Sequence, residues 1–296
     1  MLKKILIVLC VLLLTGCRPT SDSLSNETTY SVLSVNKIPS LVLLNVYDDI
    51  DLNLSDNLDD INNAFDNKTY DVIIAPLVTG VNKLNEGSSY KLLSIVEYDK
   101  YNIVVLDETF KKGNVAIYGD EVLGKLVDYL SKDLVSYNFV WYDSFDEIYN
   151  GFKDGTIEAA LLNENDYLYL NDYNDVSLYK LEDVSALYES ESTYSNIPTY
   201  GMFVLSDVVD NDQDNLTSFT KKIKSGVSQC KNDKTTLTNI LSNIDLNEFG
   251  IDNSDLISEH YSEIGVDFTY AVNDFDSIKN ILSLCGIDIS EKMIVK

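Results

Sequence analysis

Apolar residues recur along this chain in two rhythms, one of period two and one near 3.6, the signatures of half-buried strands and amphipathic helices. Residues 31–36 have strand character, 39–47 read as a short helix with Pro39 near its start, and 49–54 alternate as a strand does. A helix at 58–65, a continuous apolar strand at 70–75, a helix at 78–84 and strands at 91–96 and 102–106 follow. This β-α-β-α-β order predicts a largely parallel sheet covered by helices. A second round begins near Lys112: a strand at 115–118, a turn at Gly119-Asp120, an amphipathic helix at 121–130, a strand at 138–142, a helix at 145–153 and a strand at 157–162. Helical patterns at 215–231, 235–241, 254–262 and 274–284 predict a C-terminal cover. The repetition predicts an α/β protein of two similar lobes with mainly parallel sheets and a hinge. Residues 31–110 and 200–296 would form the first lobe and 111–199 the second, with crossings near 106–112 and 195–200.

Ahead of these elements, Lys3 and Lys4 precede an apolar run at 5–14 that ends in Leu14-Thr15-Gly16-Cys17. The run is too short to cross a bilayer, which needs about 20 residues. A basic start, a short apolar core and small residues before a cleavage point read as a secretory signal over residues 1–16. Leu-Thr-Gly-Cys resembles the lipobox of bacterial lipoproteins, which implies a diacylated Cys17 as a lipid anchor on the extracytoplasmic face of the membrane. Polar residues rich in Ser, Thr and Asn then read as a flexible tether across 17–30.

Charge narrows the partners. Removing the signal takes two of the 22 basic residues and none of the 48 acidic ones, leaving a formal charge of −28. Such a surface repels nucleic acid and anionic lipid head groups, so membrane contact would come from the anchor. A hydrophobic content of 45% argues for a folded domain. Once Cys10 leaves with the signal and Cys17 is the anchor, only Cys230 and Cys285 remain, as one bridge or as two thiols. His260 is the only histidine, which excludes a His-rich zinc site and a His-based triad. Arg18 is the only arginine, so no residue within the lobes offers the planar fork that grips carboxylate or sulfonate.

Two stretches carry a family resemblance. Tyr70-Asp71-Val72-Ile73-Ile74-Ala75-Pro76, a helix to Leu84, and Gly87-Ser88-Ser89-Tyr90-Lys91-Leu92-Leu93 form the first. Phe152-Lys153-Asp154-Gly155-Thr156-Ile157-Glu158-Ala159-Ala160-Leu161-Leu162-Asn163-Glu164 forms the second. Their order and spacing resemble type 2 periplasmic solute-binding proteins, in particular the receptors for sulfonates, nitrate and thiamine precursors. The resemblance spans residues 31–285. It implies an extracytoplasmic, monomeric, non-enzymatic protein without a cofactor, which captures a small molecule between its lobes and delivers it to an ABC permease. The chain departs from the family at Asn165, where Pro is common, and in lacking Arg in the lobes. The latter weighs against sulfonates and amino acids and favours a neutral or cationic, even aromatic, ligand such as a pyrimidine vitamin precursor.

In open α/β sheets ligands lie at the carboxyl ends of strands, where loops lead into helix starts. That rule selects Asn36, Pro39 and Ser40 after the first strand, Pro76, Leu77 and Thr79 after the third, Gly119 and Asp120 in the second lobe, and Glu164 and Asn165 after its last strand. Tyr101 and Tyr200 are added as rings able to stack on a flat ligand. Residues 210–214 begin like a calcium loop but carry Asn215 where Gly should turn the chain and Lys221 where a closing Glu is needed, so they read as an acidic loop and helix cap. Asn26-Glu27-Thr28 matches a glycosylation sequon without meaning for a bacterial-type lipoprotein. No nucleophile elbow, P-loop or paired-His motif is present. Two other readings share the same cleft and anchor: a lipoprotein that senses a ligand for a membrane signalling partner, and a surface lipoprotein without transport function.

Overall fold

The computed structural model describes residues 29–173 and 176–296. The signal segment, Cys17, Arg18 and most of the tether lie outside the described residues. Two sheets organise the chain. The first has the order β11-β4-β10-β3-β1-β2, built from β1 (Ser31–Val35), β2 (Asp51–Ser55), β3 (Val72–Pro76), β4 (Tyr90–Asp99), β10 (Ile197–Leu205) and β11 (Val266–Tyr270). The second has the order β7-β6-β8-β5-β9, built from β5 (Tyr101–Val105), β6 (Gly113–Ile117), β7 (Tyr137–Trp141), β8 (Ala159–Asn163) and β9 (Tyr179–Asp183).

Both sheets are mainly parallel. β1 to β4 run in one direction while β10 and β11 oppose them, and in the second sheet only β5 opposes the rest. β3 is buried along Val72–Ala75, as expected of a central strand covered on both faces. Asp71 ahead of it is a structural clamp: its Oδ2 accepts from the Ser31 N–H at 2.9 Å and the Ser31 hydroxyl at 2.7 Å, pinning the start of β1.

Helices connect the strands. A 3-10 helix (Ile38–Asp49) follows β1; nearly every residue from Ile38 to Val46 is buried, because its sequence is apolar all round and it sits inside the first lobe. α1 (Leu58–Asn67) starts where the Asn57 side chain accepts from the Asp59 N–H at 2.9 Å, and α2 (Leu77–Asn85) follows β3 directly. In the second lobe α3 (Glu121–Tyr129) and α4 (Phe145–Asp154) are capped by Asp120 and Ser144, and α4 ends at Gly155 with φ 69°, a left-handed turn natural to glycine. α5 (Glu164–Tyr173) and α6 (Val184–Ser192) complete that lobe. After β10, α7 (Ser206–Asn211), α8 (Gln213–Asn232), α9 (Lys234–Leu241), α10 (Ser254–His260) and α11 (Phe275–Leu284) form the C-terminal cover. α8 lies on the 3-10 helix, while α11 contacts both β10 and α3 and so bridges the two lobes.

Several expectations are corrected. Tyr101–Val105 belongs to the second sheet, so the chain first changes sheets at Lys100 and not within 106–112. It returns between Ser192 and Ile197. The expected return crossing at 195–200 overlaps β10, a central strand that Pro198 and Gly201 disguised. Register irregularities flank Tyr200, and a Cβ on Gly201 would stand 2.7 Å from the Leu92 side chain, so this crowded strand requires glycine there. The acidic stretch 210–214 is split between α7 and α8, and Asp212 caps no backbone N–H with its side chain; it accepts the Tyr30 hydroxyl at 2.7 Å. Cys230 and Cys285 are both free thiols.

Candidate functional site

Between the two sheets lies a cleft of about 570 Å³. The starts of five helices converge on it: the 3-10 helix, α1 and α2 from the first lobe, α3 and α5 from the second. This is the place where strand ends and helix starts favour a ligand. Of the residues selected from sequence, Asn36, Pro39, Pro76, Thr79, Tyr101, Gly119, Asp120, Asn165 and Tyr200 line it. Gly119 has φ 140°, which lets the loop after β6 turn sharply into α3.

Three selected residues lie elsewhere. Ser40 is buried, and its hydroxyl donates to the Lys37 carbonyl at 2.6 Å, so it shapes the loop from behind. Leu77 points into the core. Glu164 opens α5 but turns away from the cleft: Lys180 Nζ lies 2.7 Å from both its oxygens, and Asn102 Nδ2 donates to it at 3.2 Å. β8 runs into α5 with no intervening loop, and at this first turn Glu164 points away while Asn165 and Asp166 take the cleft side.

The strongest chemistry in the cleft was not selected from sequence. Glu97 and Asp99 alternate on β4, and Tyr101 continues the alternation across Lys100 onto β5, so all three side chains reach the cleft. The Tyr101 hydroxyl donates to Asp99 Oδ2 at 2.9 Å, and the Tyr118 hydroxyl donates to Asp166 Oδ2. Asp56, Asp120 and Glu121 add further acids, and Lys37 is the sole basic residue among the lining residues. The period-two acids 97 and 99, at the end of a mainly apolar strand, were the available signal. In a chain with 48 acidic residues that signal is easily lost.

These carboxyls resist ionisation. Burial pushes Glu97 well above the usual carboxylate range, aided by the adjoining charge of Asp99. Burial likewise raises Asp99 to about 7 and Asp166 to about 6, the latter held back by the Tyr118 hydroxyl and by Lys37. Lost hydration also raises Asp120, against the pull of the α3 N–H groups; solvent still reaches it at the cleft mouth. Tyr101, Tyr118 and Tyr200 are raised by burial first and nearby carboxyls second, so they remain hydrogen-bond donors. Lys37 holds φ 68° and ψ −146°, a region that costs a non-glycine residue on the order of 1–3 kcal/mol and that recurs at ligand loops. Among the described residues, no three of His, Cys, Asp and Glu come together as a metal site requires. Nor is any described helix long and apolar enough to cross a membrane.

No protein-family model matches the chain, and no curated protein does. Solved structures do. An ABC transporter protein from Parabacteroides distasonis superposes with a TM-score of 0.70 at 15% identity, covering 87% of this chain and 91% of that one. The zinc-bound ligand-binding component of an ABC-type import system from Staphylococcus aureus gives 0.63 at 13%, covering 91% and 96%. The periplasmic aliphatic sulphonate binding protein of Escherichia coli gives 0.55 at 11%, covering 92% of each. At such identities the likeness speaks for the fold: this chain has the two-sheet α/β architecture of the periplasmic binding proteins of ABC importers, those of the sulfonate and nitrate group among them.

Proposed function

We propose that this protein is a solute-binding lipoprotein, anchored through Cys17 on the extracytoplasmic face of the membrane, which captures a small molecule and delivers it to an ABC permease. The observation that carries this reading is the convergence of five helix starts from two separate lobes on one cleft. Lys100 and the segment between Ser192 and Ile197 are the two crossings about which the lobes would close. The likeness to ligand-binding components of import systems supports the same reading. No catalytic step is required, and the protein acts as a monomer.

Thermal unfolding of the chain lacking residues 1–16, screened against vitamins, nucleobases, amines and sulfonates, tests it. A true ligand at 100 times its dissociation constant adds about 2.7 kcal/mol. A silent screen would contradict solute binding. A stabilising ligand that stimulates a neighbouring permease–ATPase pair supports import, whereas one that acts only on a neighbouring histidine kinase supports a sensor. Cys17→Ala should release the exported protein from the membrane fraction once its signal is removed; retention would rule out the lipid as the anchor.

A further inference from the structure

The cleft is short of donors. Glu97 is 5% exposed, and its Oε2 has no hydrogen-bond donor among the described residues. The group it meets is the carboxyl of Asp99, a second acceptor, itself approached by the Tyr101 hydroxyl. Across the cleft the Asn165 side chain turns its amide toward Asp166 and leaves Oδ1 buried without a donor. Both unpartnered atoms belong to lining residues, both are acceptors, and an unmet buried acceptor costs about 1–3 kcal/mol. A shared proton meets this need in part, and a ligand's N–H groups would meet it fully.

The places where an anion would bind are already occupied in the second lobe. A helix start attracts anions through its free N–H groups. At α3 that position is held by Asp120, which accepts from the Leu123 N–H at 3.2 Å, and Asp166 stands in the first turn of α5. A sulfonate or nitrate entering here would meet carboxylates where it needs donors.

Resting on the solute-binding reading, we infer that the cleft takes a small organic cation, an ammonium or amidinium compound. Its N–H donors would lie among Glu97, Asp99, Asp166 and the Asn165 carbonyl, with the Tyr118 and Tyr200 rings beside it. These two rings supply faces that attract a cation, while the Tyr101 and Tyr118 hydroxyls keep Asp99 and Asp166 oriented. The likeness to sulphonate-binding proteins thus extends to the fold and not to the charge of the ligand.

One carbon skeleton with three charges tests the inference. Benzylamine, benzyl alcohol and benzenesulfonate, together with benzamidine and putrescine as further cations, are titrated into the chain lacking residues 1–16 by calorimetry and thermal unfolding. At least one cation should bind and raise the Tm, and the alcohol and sulfonate should not. Asp99→Asn and Asp166→Asn, which remove an ionisable group inside the cleft without changing shape, should each weaken that cation at least 30-fold. Glu158→Gln, an equal loss of charge on the exposed surface, should leave it within twofold. The groups facing the ligand are Asp56, Glu97, Asp99, Asp120, Glu121, Asp166, Lys37 and the three tyrosines; binding should release protons and strengthen from pH 5 to pH 8. Preference for the sulfonate, or equal losses in Glu158→Gln and Asp99→Asn, would overturn the inference. If every cation is silent while other compounds of the broad screen stabilise the protein, the charge assignment alone falls. If nothing of any charge stabilises it, the solute-binding reading falls as well.

Discussion

On the first-lobe side of the cleft, the 3-10 helix and α2 begin at Lys37 and Pro76 without any side-chain cap and with no acid in their first turns. On the second-lobe side, α3 begins at Asp120, whose carboxyl takes the Leu123 N–H, and α5 carries Glu164 and Asp166 in its first turn. The first lobe therefore leaves these two helix starts open to acceptor atoms of a ligand, only α1 at the cleft edge being capped, by Asn57, while the second fills its starts with its own carboxyls. With Glu97 and Asp99 closing the cleft from β4, the open side is flanked by acid on two others. Similar architecture in the two lobes has produced walls of different chemistry.

The same contrast extends to packing, and its largest expected effect lies there. Each lobe contains a helical glycine pressed against a neighbour. A Cβ on Gly80 of α2 would stand 2.0 Å from the Phe203 ring, whereas one on Gly151 of α4 would meet the Ile157 side chain at 2.5 Å. Phe203 is fully buried and stacked edge-on against Phe65, so it has nowhere to go, while the tip of Ile157 can change rotamer. Gly80→Ala should lower stability by about 2–3 kcal/mol and Gly151→Ala by about 1 kcal/mol in chemical denaturation. Equal losses would show that the second lobe is packed as tightly as the first.

Next in size is the effect of pH. Asp99 and Asp166 have folded pKa values of about 7 and about 6 against an unfolded 3.8, so between those values the folded state holds more protons than the unfolded state. Stability from these groups is therefore fully present below about pH 4 and is lost as pH rises through 6 and 7. The ligand-free protein should melt several degrees lower at pH 8 than at pH 5, and Asp99→Asn should flatten that slope. A slope unchanged in the variant would place the titrating groups outside the cleft. The smallest effect separates capping from charge. Asp120→Ala should cost about 1 kcal/mol, Asp120→Asn nearly nothing, and Thr79→Ala in the first lobe less than about 0.5 kcal/mol. A Thr79→Ala loss as large as that of Asp120→Ala would remove the distinction between capped and open helix starts.

Much of this was legible in the chain. The alternating strands and helices around Asp71 and Gly155 are local signals, and the rule that ligands lie at strand ends found seven cleft residues, to which the aromatic character of Tyr101 and Tyr200 added two. Legibility failed where tertiary context outweighed local pattern. β10 hides behind Pro198 and Gly201, and its central place in the sheet depends on partners more than 90 residues away. The crossing at Lys100 is a single residue between two strands, too short to break an apolar rhythm. Glu97, Asp99 and Asp166 are hard to tell from the other acids of so acidic a chain, because what distinguishes them is their gathering within one cleft.

Small-angle scattering with and without the compound that stabilises the protein most tests the central claim most directly, namely that the cleft between the two sheets is where a solute is captured and about which the lobes close. The account predicts a radius of gyration that falls on saturation and does not fall in Asp99→Asn at the same ligand concentration. Binding that leaves the radius unchanged, or a fall of equal size in the variant, would contradict it.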